Sequence, residues 1–250
     1  MTFCVGIKVA EGLVALADGR VTAGTQMGVA RKVSFHGGPQ HRFLVMTSGL
    51  RSVRDKTVAY LDRLIGGQTG ESVATMLDAV GAFATCLRRV SGEDKTALKD
   101  SGLDFDLHAI LGGQLADDPE PTLYLVYPEG NWIQVDALAP YLSIGQTAYG
   151  KPILDRALGS ETAMPMALKL AYLSFDSSRF SSSSVGFPID FMTYHRSDRQ
   201  WRLIQFDDDD LRDQRQWWNT NISGLVRQMP DGPWIEPLLP AAGRAGRAQP

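Results

Sequence analysis

The chain opens with Met1-Thr2-Phe3-Cys4-Val5-Gly6-Ile7-Lys8-Val9 and answers that run, after Gly12, with Leu13-Val14-Ala15-Leu16-Ala17-Asp18-Gly19-Arg20. Alternation begins at once. Phe3, Val5, Ile7 and Val9 fall on one face of a strand, and Thr2, Cys4, Gly6 and Lys8 on the other. The second run reads as a strand that Asp18-Gly19-Arg20 ends in a turn, where glycine admits conformations other residues resist. Removal of the initiator methionine, which a small second residue allows, leaves Thr2 with a hydroxyl and a free amine on adjacent carbons. An α-amine has a pKa of about 7.7–8.0, so near neutral pH part of it can act as base toward its own side chain.

Length and composition narrow the classes. At 250 residues the chain suits one domain with a tail. A net charge of −3 lacks the basic footprint of a nucleic-acid partner. The two cysteines, Cys4 and Cys86, form no disulfide framework and suit a reducing cytosol. No signal peptide or bilayer-length apolar run is read, so the expectation is a cytoplasmic protein without a membrane partner.

Further along, Arg31–Phe35 and Arg42–Thr47 read as strands around a Gly37-Gly38-Pro39 turn, and residues 21–30 as a loop with weak strand character. Helical periodicity then places Val53, Val58, Leu61, Leu64 and Ile65 on one helix. A second, after Gly66-Gly67, carries Val73, Met76, Leu77, Val80, Phe83 and Leu87. Residues 91–105, charged and irregular, read as an exposed loop. Strands follow at Asp106–Gly113, at Thr122–Tyr127 and Trp132–Val135 around a Pro128-Glu129-Gly130-Asn131 turn, and at Tyr141–Gly145. Helices at Thr147–Leu158 and Glu161–Phe175 precede strands at Phe187–Tyr194 and Trp201–Phe206. Segregated runs of strands and helices favour an α+β layered fold, with two sheets between two helical layers. The domain spans 1–206 and a helical extension 207–239, followed by a disordered tail at 240–250 rich in Ala, Gly, Arg and Pro. Asp207–Asp210 lack EF-hand spacing and read as acidic residues at the positive end of a helix. Trp217 and Trp218 read as packing residues on that extension.

Set side by side, Thr2, Asp18-Gly19-Arg20, Thr22, Lys32 and Ser48-Gly49 resemble the proteasome-type family of N-terminal nucleophile (Ntn) hydrolases, over about residues 2–206. Within it the sequence looks most like Anbu, the bacterial ancestral β-subunits. The features that carry this are the start without a propeptide, Ser174-Phe175-Asp176-Ser177, Ser184-Val185-Gly186-Phe187-Pro188-Ile189-Asp190 and the C-terminal extension. The resemblance implies a four-layer αββα sandwich with two antiparallel sheets. It makes Thr2 the nucleophile, with Lys32 near it, Asp18 as the carboxylate partner of Lys32, and the Gly49 N–H as oxyanion donor. Asp176 matches the family aspartate and Ser184 the serine after it. Gln146 stands where the family places a serine that helps the terminal amine. An ammonium near that amine lowers its pKa and steadies a developing alkoxide, and a buried lysine needs a carboxylate.

The resemblance implies a homo-oligomeric ring or open spiral, with the helices near 50–90 as candidate contact surfaces, acting on a peptide or protein substrate. Three readings stay open: a threonine peptidase, a narrow amidase for a small γ-linked or peptide-like substrate, and an assembly that keeps the fold without proteolysis. No cofactor or metal is expected. His36, His41, His108 and His195 lack zinc-site spacing, and the paired glycines lack a P-loop, so any ATP-dependent step belongs to a separate partner. Cys4, on the strand face of Thr2, lacks the terminal amine and is read as a packing residue.

Overall fold

A computed structural model describes residues 2–23, 26–38, 42–66, 73–159 and 161–238. Met1, the proline of the 37–39 turn, the glycine at 67 and the tail 240–250 lie outside the described residues. The chain divides into two compact units, the first ending at Asp208 and the second beginning at Asp209.

In the first unit, β1 (Phe3–Val9) and β2 (Gly12–Asp18) form the opening hairpin, and β3 (Arg20–Ala23) and β4 (Gln26–Val29) a two-stranded ribbon. Then come β5 (Val33–His36), β6 (Phe43–Gly49), α1 (Arg51–Gly66) and α2 (Met76–Asp100). They are followed by β7 (Leu107–Gly113), β8 (Thr122–Val126), β9 (Trp132–Gln134) and β10 (Tyr141–Gly145). Two helices, α3 (Lys151–Ala157) and α4 (Met164–Ser181), lead to β11 (Ile189–His195) and β12 (Gln200–Phe206). The result is a mixed α+β fold with two five-stranded antiparallel sheets, ordered β10-β1-β2-β11-β12 and β5-β6-β7-β8-β9.

The alternation of β1 sorts its two faces. Phe3 meets Phe175 of α4 edge to face, whereas Cys4, with Leu13, Ala15 and Ala17 of β2, packs against Leu44, Met46, Ile110 and Leu123 of the other sheet. A Cβ on Gly6 would sit 3.2 Å from Leu123, so glycine there lets the sheets approach. On the far face of the second sheet, Val53 and Leu61 of α1 and Met76, Val80, Phe83 and Leu87 of α2 cover Val45, Leu107, Leu111 and Val126.

Three expectations are corrected. Residues 91–100 are helix, not loop, because α2 runs on to Asp100. Apolar periodicity fades there, but cross-helix charge replaces it. Lys56 of α1 pairs with Glu93 and Asp94 at 2.7 Å each, the Tyr60 hydroxyl donates to Glu93, and Arg89 pairs with Glu93 one turn on. The expected Thr147–Leu158 helix shrinks to α3, starting at Lys151 with Pro152 in its first turn. The expected Glu161–Phe175 helix starts later and runs longer, as α4, its last residues including Ser177, Ser178 and Ser181.

In the second unit, α5 (Arg212–Gln228) and the short α6 (Ile235–Leu238) follow a turn. Asp207–Asp210 precede α5 rather than form its first turn, which holds Asp213 instead. Among the described residues, no helix is long and apolar enough to cross a membrane.

Candidate active site

Thr2 lies just ahead of β1 and is buried. The strand between β10 and β2 brings two chain ends to it, since Phe3 faces Gly145, the last residue of β10, and Cys4 faces Ala17, next to the last residue of β2. The Gln146 main-chain N–H donates to the Thr2 carbonyl at 2.6 Å. One residue on, the Phe3 N–H donates to Oδ1 of Asp18 at 2.8 Å. Gly145 has a φ of +87°, and a Cβ there would come within 1.8 Å of the Thr2 carbonyl oxygen, so the close of β10 against Thr2 requires glycine.

Asp18 gathers three donors. Lys32 Nζ donates to its Oδ1 at 2.5 Å, the Phe3 N–H shares that oxygen, and the Gly186 N–H reaches Oδ2 at 3.3 Å. Both side chains of the ion pair are sequestered, 8% exposed for Lys32 and 0% for Asp18. Burial raises the Asp18 pKa, and the Lys32 ammonium together with the three hydrogen bonds opposes that rise. Lys32 is anchored by its own carbonyl, which accepts from the Thr47 N–H at 3.2 Å on β6. Two residues further along β6 is Gly49, whose φ of +132° and close packing on the Asp106 carbonyl exclude a side chain.

The remaining expected residues have other partners. Asp176 is buried on α4 and its Oδ1 accepts from Arg179 at 2.7 Å. The Arg179 guanidinium lies over the Phe187 ring. Ser184 shares a hydrogen bond with Ser182 at 2.8 Å. Its loop is nonetheless tied to the site, because Arg20 donates to the Ser183 carbonyl at 3.0 Å while Gly186 N–H holds Asp18. A Cβ on Gly186 would sit 2.3 Å from the guanidinium carbon of Arg20. The structure thus joins Thr2, Asp18 and Lys32 through the head of β1, while Asp176 and Ser184 hydrogen-bond elsewhere.

Asp190 and Arg31 stand outside the site residues expected from the sequence. Asp190 is buried in β11, accepts from Gln205 at 3.0 Å and lies 3.6 Å from Arg31, the neighbour of Lys32. A signal was present: Asp190 alternates with Met192 and Tyr194, both core residues, so a carboxylate stands on an apolar face. Burial pushes the Cys4 thiol well above its ordinary pKa; Lys32 opposes the rise and Asp18 and Asp190 add to it, consistent with an inert packing residue.

A second chain of hydroxyl, base and carboxylate lies on the outer face of the other sheet. Ser34 Oγ and His36 Nε2 are 2.7 Å apart, and His36 Nδ1 is 2.7 Å from Asp62 of α1. The His36 ring is buried, but the Asp62 side chain is 58% exposed.

No protein-family model and no curated protein matches the sequence. Solved structures do. The chain of the helical assembly of the Anbu complex from Pseudomonas aeruginosa is 32% identical with a TM-score of 0.85, over 94% of this chain and 100% of that one. A Gly-1 mutant of Anbu from Hyphomicrobium sp. strain MC1 is 28% identical with a TM-score of 0.84, over 93% and 99%. Anbu from Yersinia bercovieri is 29% identical with a TM-score of 0.82, over 92% and 98%. Similarity at this level along the whole of each relative, on a fold whose first strand carries a buried Thr2–Asp18–Lys32 cluster at its head, makes the chain a member of the Anbu family of ancestral β-subunits.

Proposed function

We propose that the chain is a threonine-type amide hydrolase on a four-layer αββα Ntn sandwich, working within a spiral or ring-like assembly of its own copies. One observation carries this reading: the buried Lys32–Asp18 ion pair, whose carboxylate also holds the Phe3 N–H next to Thr2. A lysine and an aspartate removed from water in this way need each other, and they place a fixed positive charge beside the head of β1.

After removal of Met1, the Thr2 hydroxyl oxygen attacks the carbonyl carbon of a peptide or peptide-like amide. Its proton passes to the free Thr2 amine. The Gly49 N–H stabilises the tetrahedral oxyanion, and the Lys32 ammonium steadies the alkoxide as it develops. The amine then gives its proton to the leaving nitrogen, the C–N bond breaks, and an acyl ester remains on Thr2. Water cleaves that ester and returns the hydroxyl. The resemblance gives Asp176 and Ser184 supporting roles, whereas their hydrogen bonds here go to Arg179 and Ser182.

Intact mass spectrometry with a peptide epoxyketone tests this, because ring closure on the reagent consumes both the hydroxyl and the free amine. Loss of Met1 with one adduct, absent in Thr2→Ala, is the expected result. A processed, assembled wild type that takes up no adduct overturns the reading.

Two observations favour a second reading, an assembly without proteolysis. Asp176 is occupied by Arg179, and Gln146 occupies the position at which a serine is expected to assist the amine. Arg179→Ala and Gln146→Ser separate the readings: adduct formation gained only in these variants supports the second.

A further inference from the structure

Asp190 stands where packing alone calls for an apolar side chain. On β11 it shares a face with Met192 and Tyr194, both core residues between the two sheets. It lies opposite Ala17 on β2, which lies opposite Cys4 on β1, so it ends a row of buried side chains. Its own side chain is 2% exposed. Replacing a buried ion pair with well-packed hydrophobic groups is often neutral or stabilising, so stability does not account for a carboxylate here.

Its partners do. Oδ1 accepts from Gln205, its register partner on β12, at 3.0 Å, and Oδ2 lies 3.6 Å from Nε of Arg31. Arg31 belongs to the segment that delivers Lys32. Three consecutive residues of that segment are tied to the same end of the first sheet. The Ala30 N–H donates to the Gly19 carbonyl at 2.9 Å, Arg31 pairs with Asp190, and Lys32 Nζ donates to Asp18 at 2.5 Å. Asp18 lies opposite Ile189, one position from Asp190, and successive strand positions send side chains to opposite faces. Two carboxylates thus leave adjacent rows of one sheet on opposite faces, and two adjacent cations hold them. The Cys4 thiol, in the same buried row as Asp190, has Lys32, Asp18 and Asp190 all among its electrostatic neighbours.

We propose that Asp190 is a positioning residue of the Thr2 site: by holding Arg31 it fixes the segment that brings the Lys32 ammonium to Asp18. A long side chain secured only at its tip pivots at its base, whereas the Ala30–Gly19 and Arg31–Asp190 contacts secure the base. Asp190 itself touches no reacting atom. Its effect on rate rests on the proposed function; its effect on Lys32 does not.

Two readouts on the full-length chain keep these apart. The first is acetylation of Lys32 by acetic anhydride, read peptide by peptide in a mass spectrometer, which needs no catalysis. Asp190→Asn keeps an acceptor for Gln205 and removes the charge that Arg31 pairs with. It is expected to raise the Lys32 acetylation rate about 10-fold through local opening, with amide exchange in β6 and β7 unchanged. Arg31→Gln, at a side chain 54% exposed, repeats the test without altering the core, and the same rise is expected. Arg31→Lys keeps the charge and is expected to lie closer to wild type than to Arg31→Gln.

The second readout is epoxyketone labelling of Thr2. Asp190→Asn is expected to lower its maximal rate by about 10- to 100-fold, with the half-saturating reagent concentration unchanged. A wild type that takes up no adduct defeats the proposed function and leaves the acetylation readout to decide this inference. Lys32 acetylated at the wild-type rate in both Asp190→Asn and Arg31→Gln would overturn it. So would equal behaviour of Arg31→Lys and Arg31→Gln, or faster acetylation matched by faster exchange throughout β6 and β7.

Discussion

The Thr2 cluster and the Ser34 chain use similar inventories, a hydroxyl, a nitrogen base and an aspartate, on two sheets of one fold. They differ at the carboxylate. Asp18 is fully buried and receives Phe3 N–H, Lys32 Nζ and Gly186 N–H, which join the chain start, the approach to β5 and the loop before β11. Asp62 is more than half exposed and pairs with a ring nitrogen of His36. Water screens the second carboxylate, so the His36–Asp62 contact works as a strut between β5 and α1. The first holds its charges where a positive potential persists at the reacting atoms. The difference teaches that a constellation of residue types becomes a site when its charges are enclosed and shared among several chain segments.

The largest expected effect breaks the comparison on the reactive side. Lys32→Met slows epoxyketone labelling of Thr2 by about 10²- to 10⁴-fold, while Ser34→Ala leaves the labelling rate unchanged; equal losses in both variants would erase the distinction. Next in size is stability. Lys32→Met leaves Asp18 buried without its counter-charge and costs about 3–5 kcal/mol in urea unfolding.

The dependence on pH sharpens the same contrast. Because burial raises the Asp18 pKa, the folded chain holds that proton more tightly than the unfolded one. The contribution of Asp18 to stability is fully present below the unfolded value of about 3.9 and is lost as pH rises through the folded value. Wild-type stability relative to Asp18→Asn should therefore decline across that window, and a difference that grows with pH would contradict the assignment. The smallest effect belongs to the strut: Asp62→Asn costs under about 1 kcal/mol by the same urea measurement and leaves labelling untouched.

Much of this was legible in the sequence, because local pattern and tertiary demand agree there. The β1 alternation, the Asp18-Gly19 turn and the Tyr141–Gly145 strand follow directly from side-chain period and glycine placement. Where the two part, the sequence was silent. The last turns of α2 hold through Lys56 and Tyr60, 30 or more residues away along the chain, and no window on 91–100 contains them. The Gly186 donor is a main-chain group of a residue with no side chain to read, and its partner lies 168 positions earlier. Asp176 was recognisable as an aspartate of the right segment, yet its engagement by Arg179 depends on the helix continuing through residue 179, beyond the expected end at Phe175. Asp190 is the case in which a visible signal, a carboxylate on an apolar alternation, was not followed to its meaning.

The clasp on Thr2 made by Gly145 and Gln146 bears on how the site can vary by substitution. Main-chain atoms hold Thr2 there, its carbonyl by one N–H and its neighbouring space by the absence of a Cβ. A saturation library across this pair should therefore read as two unlike neighbours. Position 145 tolerates almost nothing, while at position 146 the contact to Thr2 is a main-chain N–H that every residue but proline supplies. Exchange at 146 therefore changes a side chain while the main-chain clasp on the nucleophile is kept.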